Sequence, residues 1–471
     1  MNTFLATPAA ATSAPQSAAG PAVDFAALAA ALTGRLLQPG DEGYEQARHV
    51  WNGAVDIRPA AIARCANAAD ASAALAFAVA RDLPFSVRGG GHNTPGYALC
   101  SGLVIDLSLL KQLDVDTQRM VARAGAGLTF GEIARGLEAH GLAIPTGTCS
   151  GTGIAGATLG GGIGWLMGRF GLAVDNVLAV ELVTAAGDLL RADAEHHPDL
   201  FWALRGGGGN FGIVTAIEYR VYNLPNVYAG MLAYPAGRAA DVLRLYRTTA
   251  AAAPDELTVM CILTAIPNVG PAALLSFCYS GDPARAERTV APLYALGEPV
   301  FGFAQTMPYS GLLAMNDPVA PDGRSYFDTT FSLADLSDGA IAAIVANAAA
   351  ATSPFSGIIF QHVHGAAVRV APSATAYPFR HPHFAVVNSA AWETGEGTEH
   401  VAWAKAATAN MQPFTTRGTY VNFLGDEGAQ AVRDAYGPNY ARLAAVKQEY
   451  DPANRFRRNQ NIVPAGRVKG L

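Results

Sequence analysis

Two nucleophilic side chains stand in separate glycine-rich segments of this 471-residue chain. His92 follows the run Gly89-Gly90-Gly91, and Cys149 lies within residues 145–153, which read PTGTCSGTG. Because glycine carries no Cβ atom, consecutive backbone N–H groups of such a segment can surround a pyrophosphate. A nucleophile in the same segment then lies beside the bound group. The pattern therefore predicts a phosphate-bearing cofactor that is held covalently.

A shorter string in the same region is also typical of nicotinamide dinucleotide binding. Residues 151–156 read G-x-G-x-x-G, but that fold requires a strand that runs directly into the glycines. Only Ala143 and Ile144 could form this strand, and Pro145 interrupts it. The string therefore does not by itself indicate nicotinamide binding.

Several segments, taken in order, resemble the FAD-linked oxidoreductases of the vanillyl-alcohol oxidase type, in their berberine-bridge-like branch. The resemblance runs from about Arg58 to Tyr222 and resumes from about Thr419 to Pro464. Members of this family carry a histidine that bonds the flavin 8α-methyl carbon and a cysteine that bonds flavin C6. The resemblance implies that FAD is attached twice, through His92 and Cys149.

The same resemblance implies which residues line the FAD site. They lie in the two nucleophile segments, in two later glycine-rich segments and in the C-terminal region. The predicted cofactor-binding residues, besides His92 and Cys149, are Arg88, Gly89, Gly90, Gly91, Asn93, Gly96, Thr148, Gly153, Gly156, Gly160, Gly161, Gly162, Gly209, Gly212, Ile213, Val214, Tyr420 and Asn422. Arg88 is expected to pair with the pyrophosphate.

Tyr420 is the predicted catalytic residue. A flavin oxidises a substrate by accepting hydride while a base removes a proton, and in the family a tyrosine in a Tyr-x-Asn string is that base. Residues 420–422 match the string. A phenolate needs a nearby cation or hydrogen-bond donors, and Arg417 and Arg369 are candidates. His362, His364 and Asn388 are candidate partners; alternatively, Tyr420 only packs against the flavin.

Two further parts of the sequence predict the electron acceptor and the substrate class. Thr152, three residues after Cys149, is small, which in the family favours access of O2 and therefore an oxidase that produces H2O2. The predicted strand 384–392 lacks the carboxylate or glutamine of other members, which favours a bulky alcohol, either a sugar or a secondary alcohol of a natural product. The alternatives are a dehydrogenase or an amine oxidase with another acceptor, and a flavin-binding protein without turnover.

Short strands and helices in irregular succession predict an α+β fold with two domains of the PCMH-type FAD-binding kind. The expected FAD-binding domain is 23–225, the substrate-binding domain is 226–414, and residues 415–471 return to the first domain. In the substrate domain an antiparallel sheet is backed by helices. Residues 1–22 are rich in Ala, Ser, Thr and Pro and are predicted to be disordered.

Local sequence patterns predict the strands and helices on which these residues lie. Residues 85–88 read as a strand leading to His92, and Asp70 is expected to cap a helix that ends at Arg81. Thr129 and Glu132 have the spacing of a capping box, which predicts the start of a helix. Residues 177–191 predict a hairpin. Beyond residue 226, the predicted helices are 239–253, 284–295 and 335–351, and the predicted strands are 257–264, 274–279, 357–363 and 384–392.

Composition excludes several classes of protein. A net charge of −6 without a basic run argues against nucleic-acid binding, and no apolar stretch approaches the length of a membrane span. Five cysteines in this length indicate no disulfide framework, and no metal-binding motif is present. Without a secretion signal, a cytoplasmic protein is expected, with a small molecule and O2 as partners.

Overall fold

A computed structural model describes residues 23–466, so the predicted disordered segment 1–22 lies outside the described residues. The described residues form eighteen strands: β1 Arg35–Leu37, β2 Ala61–Arg64, β3 Phe85–Arg88, β4 Leu103–Asp106, β5 Leu113–Asp116, β6 Val121–Gly125, β7 Leu142–Ala143, β8 Val177–Val183, β9 Leu189–Asp193, β10 Ile213–Arg220, β11 Tyr222–Asn223, β12 Val227–Pro235, β13 Leu257–Ile266, β14 Gly270–Tyr279, β15 Phe301–Met307, β16 Ser325–Leu333, β17 Gly357–Val363 and β18 His383–Trp392.

Helices cover and connect these strands. Those within residues 23–466 are α1 Ala26–Ala31, α2 Tyr44–Arg48, α3 Ala68–Ala80, α4 Phe130–Glu138, α5 Ile154–Gly160, α6 Met167–Phe170, α7 Pro198–Leu204, α8 Ala239–Ala252, α9 Ala286–Val290, α10 Tyr309–Ala314, α11 Asp338–Ala349, α12 Ala366–Arg369, α13 Thr398–Met411, α14 Gly428–Tyr436 and α15 Tyr440–Tyr450. The mixture of helices with mainly antiparallel sheets confirms the α+β fold.

The N-terminal sheet delivers the His92 segment. Its strand order is β1-β2-β4-β3, and β4 pairs in parallel with both β2 and β3. The helix α3 connects β2 to β3, two parallel strands that lie on either side of β4. Asn67, not Asp70, caps α3. The Asp70 carboxylate instead accepts the backbone N–H groups of Thr33 and Gly34, from the segment between α1 and β1, and that of Ala66 just before the helix.

The second sheet and α4 hold the Cys149 segment. The sheet order is β5-β6-β10-β8-β9, and β8 and β9 form the predicted hairpin. The capping box of Thr129 and Glu132 begins α4, as predicted. Backbone N–H groups at this helix start donate to the carbonyl oxygens of Thr152 and Ser150. The start of α4 therefore fixes the loop on either side of Cys149.

A seven-stranded antiparallel sheet with the order β15-β12-β14-β13-β17-β18-β16 begins at Val227. Helices α8, α11 and α13 pack on one of its faces, over a core that includes Phe360 and Trp392. Side chains of the opposite face, among them Ala385, join clusters with residues of the first domain and of the C-terminal region. The second face therefore lies toward the residues predicted to hold FAD.

The C-terminal region packs back onto the first domain. Lys447, which is fully buried, donates from Nζ to the carbonyl oxygens of Asn210 and Phe456 and pairs with Asp451 at 2.6 Å. Burial lowers the pKa of Lys447, and the Asp451 carboxylate opposes that shift. Because each proton of this buried ammonium group has an acceptor, the cost of its desolvation is offset.

Most predicted elements are present, with two differences. The predicted helix 284–295 is broken into α9 and two flanking short 3-10 turns, because Pro292 cannot continue the α-helical hydrogen bonds. Sequence patterns also did not indicate β12, β15, β16 or α13. The absence of β16 from the prediction affects the site, because this strand borders it.

Candidate functional site

His92 and Cys149 line the same cavity. Its volume is about 230 Å³, and residues from the nucleophile loops and from the segment 316–322 share its wall. This volume is smaller than the roughly 300–1,000 Å³ of pockets that enclose a whole small ligand. The two residues predicted to attach FAD are thus brought to one place, although 57 positions separate them.

The two loops meet backbone to backbone. A Cβ atom on Gly90 would lie 2.4 Å from the Cα atom of Gly153, and a Cβ atom on Gly153 would lie 2.4 Å from the Gly90 nitrogen. Any side chain at either position would separate the loops. The glycines are therefore required by the approach of the His92 and Cys149 loops to each other.

The His92 imidazole is stacked on an indole ring. The ring centroids of His92 and Trp51 are 4.2 Å apart, with an interplanar angle of 11°, and Tyr326 stacks on Trp51 at 3.9 Å. Burial lowers the pKa of His92, so the imidazole is neutral at neutral pH. A neutral, oriented imidazole is the form that can act as a nucleophile.

The segment 316–322, between β15 and β16, also lines the cavity. Asn316 donates from Nδ2 to the Thr148 carbonyl oxygen at 2.9 Å, and the Ser150 hydroxyl donates to Asp317 at 2.6 Å. Trp51 donates from Nε1 to the carbonyl oxygen of Ala320. Burial raises the pKa of the Cys149 thiol, and the Thr148 hydroxyl opposes this. The thiol is therefore protonated at neutral pH.

The residues present fit a large bound group such as FAD. Cβ atoms placed on Gly156 and Gly209 would meet no atom of the described residues within 4 Å, and neither glycine has a positive φ. The surrounding chain thus gives no steric reason for glycine there, whereas clearance for a ligand does. Trp165 Nε1, Asn459 Oδ1 and Asn461 Oδ1 are among the side-chain atoms of residues 23–466 that are buried without a hydrogen-bond partner.

Other predicted cofactor residues have contacts within the chain. The Asn93 carboxamide accepts the Tyr97 N–H group across a turn that includes Gly96, and the Arg88 guanidinium donates to the Ala47 carbonyl oxygen. Gly89 and Gly91 flank Gly90 in the His92 loop. Gly212 lies just before β10, and it is buried together with Ile213 and Val214 at the start of that strand. Their role toward FAD stays a prediction.

Tyr420 is buried among glycines. Its hydroxyl oxygen accepts the Gly162 N–H group at 2.7 Å and the Asn422 Nδ2 group at 2.6 Å, and Asn422 also donates to the Ala157 carbonyl oxygen. Gly160 and Gly161 leave room for Asn422 and Tyr420, since Cβ atoms there would collide with these side chains. Burial raises the pKa of Tyr420 to about 12, against the effect of the two donors.

The predicted helpers of Tyr420 lie elsewhere, and that expectation was wrong. Arg369 pairs with Asp255, and Arg417 is exposed beside Arg433. Hydrogen-bond donors, not these cations, act on the Tyr420 hydroxyl.

His362 and Asn388 lie on the face of the seven-stranded sheet that the helices cover. Asn388 donates to Thr408 of α13, and His362 packs on Phe384 in the core under the helices. His364 contacts Thr258 at 3.5 Å. Burial lowers the pKa of His362 to about 3 and that of His364 to about 4, so both are neutral. Tyr420 belongs to the cluster on the opposite face.

Sequence reasoning missed Asp328. This residue of β16 lies opposite Ser389 of β18, on the face turned toward the FAD-binding domain. Its Oδ2 atom accepts the hydroxyl of Thr94 at 2.7 Å, two residues after His92, while Oδ1 is buried without a partner among the described residues. Burial raises the pKa of this carboxyl group. The sequence did contain a signal for this strand: Tyr326, Asp328 and Thr330 alternate with Phe327, Thr329 and Phe331, residue types common in strands.

The remaining sequence expectations concern metals, cysteines and membranes. No cluster of three or more potential metal ligands occurs between residues 23 and 466. All five cysteines are free. In the described part of the chain, none of the helices has the length and apolar character needed to cross a membrane.

Two family profiles match separate parts of the chain. The family profile described as FAD binding domain matches residues 59–193, and the one described as berberine and berberine like matches residues 419–463. The chain is 32% identical to (R)-6-hydroxynicotine oxidase of Paenarthrobacter nicotinovorans over 458 residues, covering 92% of this chain and 98% of the relative. It is 33% identical to an uncharacterized FAD-linked oxidoreductase of Bacillus subtilis, covering 93% and 98%.

Solved structures show the same architecture. The crystal structure of 6-hydroxy-D-nicotine oxidase from Arthrobacter nicotinovorans superposes with a TM-score of 0.82 at 31% identity, covering 92% of this chain and 98% of the other. The berberine-bridge-like protein 1 of Physcomitrella patens gives a TM-score of 0.86 at 23% identity, covering 95% and 100%. The latter likeness concerns the fold alone.

Proposed function

Because the chain belongs to the FAD-linked oxidoreductases of the vanillyl-alcohol oxidase type, in their berberine-bridge-like branch, we propose that it is an oxidase with doubly attached FAD. In this proposal His92 and Cys149 hold the flavin, and a bulky small molecule is dehydrogenated at a carbon that bears a hydroxyl group. The observation that carries the proposal is the single cavity shared by His92 and Cys149.

The chain's own residues have separate tasks in this reaction. Bound FAD would supply the hydride acceptor and, once reduced, deliver electrons to O2. Tyr420 Oη takes the proton of the substrate hydroxyl, and Asn422 orients the phenol through its bond to the Ala157 carbonyl oxygen. Donors at Gly162 and Asn422 stabilise the phenolate that the proton transfer requires. Tyr420 is only 4% exposed, so water is kept from this step.

Oxidation of an amine is the second candidate. The lack of a carboxylate on β18 favoured an alcohol, but Asp328 of the neighbouring strand supplies a carboxylate on the same face of the sheet. The related (R)-6-hydroxynicotine oxidase is named for an amine substrate. Asp328 therefore makes the site compatible with a substrate that contains a basic nitrogen.

Acceptance of electrons by O2 is supported by the local residue type. Thr152 is a small residue three positions after Cys149, and its N–H group donates to the Cys149 carbonyl oxygen. A relative that covers nearly the whole chain is named an oxidase. Both observations favour O2 over another acceptor.

The purified protein should lose its yellow colour anaerobically when mixed with a substrate from a panel of sugars, secondary alcohols and cyclic amines. Admission of air should restore the colour within seconds and yield one H2O2 per substrate oxidised. Stopped-flow absorbance and a peroxide assay measure both steps. If the reduced flavin persists in air, the protein is a dehydrogenase. If no compound of the panel reduces the flavin, the result favours a flavin-binding protein without turnover.

Replacement of Trp51 by leucine is expected to reduce the share of His92 that carries flavin. Stacked aromatic pairs contribute about 0.5–1.5 kcal/mol, so we expect a fall of about two- to tenfold in attachment rate at His92. Peptide mass spectrometry measures the modified fraction, with Cys149 as the internal reference. Trp51→Phe should retain most of the attachment, and Trp403→Phe, in the helix layer, should change nothing. Equal modification in Trp51→Leu would show that the stacking is irrelevant.

A further inference from the structure

A row of buried polar atoms crosses the sheet face that is turned toward the FAD-binding domain. Register pairs connect Ser276 to Met260, Met260 to Gln361, Gln361 to Ala385 and Ala385 to Ser332. Laterally paired residues point to the same side of a sheet, and Ala385 packs in the cluster of Tyr420. Ser276, Gln361 and Ser332 therefore lie on the face toward Tyr420.

None of these polar atoms has a partner within the described chain. Ser276 Oγ, Gln361 Oε1 and Ser332 Oγ are buried without hydrogen bonds, and their residues are 3%, 5% and 3% exposed. A polar group that is buried without a partner destabilises the folded chain, because it loses its hydrogen bonds to water. Such groups are uncommon singly, and several on one face indicate a surface built to receive a polar ligand.

Asp328 extends this surface along β16. It lies four residues from Ser332, and therefore on the same face of the strand. Its Oδ1 atom lacks a partner, while Oδ2 accepts the hydroxyl of Thr94 on the loop that follows His92. Asp328 thus joins the polar row to the region of the flavin attachment.

The Asp328 carboxyl group has hydroxyl partners and no cation: burial raises its pKa, and the hydroxyl groups of Thr94 and Ser389 oppose that shift. Burial raises the pKa values of Asp328 and of Glu427, and nearby carboxylates raise that of Glu427 further. No positively charged group in the described residues acts on either one. Glu427 is exposed. A Cβ atom placed on Gly425 would lie within 4 Å of both the Glu427 carboxylate and the Asp328 carbonyl oxygen, so the two residues are near each other. A cation at this place would be attracted by both carboxyl groups.

We propose that Asp328 is a specificity-determining residue that binds a protonated amine of the substrate, while Gln361 and Ser332 bind its hydroxyl groups. The inference rests on the proposed oxidase function and defines its substrate class as a hydroxylated amine. The unpartnered oxygen atoms of Asp328 and Gln361 accept hydrogen bonds, so the substrate must supply donors. Ammonium and hydroxyl groups are donors, whereas a carbonyl group is not.

The spacing sets the size of this substrate. Gln361 and Ser332 lie two strands apart, which is about 10 Å, and Asp328 lies about 13 Å along the strand from Ser332. A molecule of about two linked rings reaches from Asp328 to the polar row. This length agrees with the bulky substrate expected for the site.

The test compares hydroxylated amines with their neutral N-acetyl forms. The two-ring hydroxylated amines chitobiose (two linked glucosamine rings) and 4-(4-hydroxyphenyl)piperidine, each paired with its N-acetylated form, and the neutral two-ring alcohols cellobiose and 4-cyclohexylcyclohexanol are added to the anaerobic holoenzyme. The change in flavin absorbance gives a dissociation constant and a rate of flavin reduction. At least one amine should bind about tenfold tighter than its N-acetyl form, since hydrogen bonds between charged partners are stronger than those between neutral ones.

Asp328→Asn preserves the shape of the side chain and should abolish this preference. Asp335→Asn, an equivalent change at an exposed position, should leave it intact. Retention of the preference in Asp328→Asn overturns the proposal, and so does equal or tighter binding of the N-acetyl forms. If neutral alcohols reduce the flavin and no amine binds, the oxidase function stands and the Asp328 site is refuted. If no compound reduces the flavin, both fail.

Discussion

Tyr420→Phe is expected to slow anaerobic flavin reduction by about 10²–10⁴-fold, the usual contribution of a positioned general base. The change removes one oxygen atom and leaves the ring packed against Phe423 and Tyr377. Binding of substrate should weaken much less than the rate, since the proton moves only in the reaction step. Single-turnover stopped-flow absorbance separates the two quantities.

A matched control and a pH profile make this prediction specific. Tyr246→Phe removes a buried hydroxyl in the helix layer and should not alter the rate. A base acts when deprotonated, and burial raises the pKa of Tyr420 to about 12, so the wild-type rate should climb about tenfold per pH unit between about pH 7 and 10. The variant should lose this slope. A rate in wild type that does not depend on pH would contradict the role of Tyr420 as base.

Removal of both attachment residues is expected to abolish covalent flavin. Wild-type protein precipitated with acid should stay yellow, and so should His92→Ala and Cys149→Ala, because each retains one bond. The double variant should release all its flavin into the supernatant. Absorbance of the precipitate and the masses of the peptides that contain residues 92 and 149 measure the attachment.

Cys100→Ala serves as the control for the loss of a thiol. Cys100 is buried, its thiol approaches the Pro84 and Leu103 carbonyl oxygens, and it is absent from the cavity of His92 and Cys149. This variant should hold flavin as the wild type does. Flavin that remains bound to the double variant after acid treatment would show that another residue attaches it.

Local patterns in the sequence predicted much of the fold. The capping box at Thr129, the strand 85–88 and the hairpin 177–191 depend on interactions between residues close in the chain, so short segments contain the required information. Where a residue distant in sequence competed, the prediction was wrong. Asp70 lies one turn inside α3 because the loop at Thr33 and Gly34 uses its carboxylate.

Strand β16 illustrates what patterns missed. Asp328 and Ser332 lie on the face of β16 that is turned away from the helices. The FAD-binding domain covers this face, so a polar residue type there does not indicate exposure to solvent. In our proposal these polar residues face a ligand and not the solvent. A reading based on periodicity therefore assigned no strand and no site to this segment.

The sequence by itself determined the family, the α+β class and the two glycine-rich segments with His92 and Cys149, because these depend on residue types in fixed local order. Only the tertiary structure decided which side chains meet. It brought the two nucleophiles to one cavity, gave Tyr420 two N–H donors in place of the expected arginines, and placed Asp328 beside Thr94. Contacts between residues hundreds of positions apart depend on strand order and sheet face, which the folded chain alone specifies.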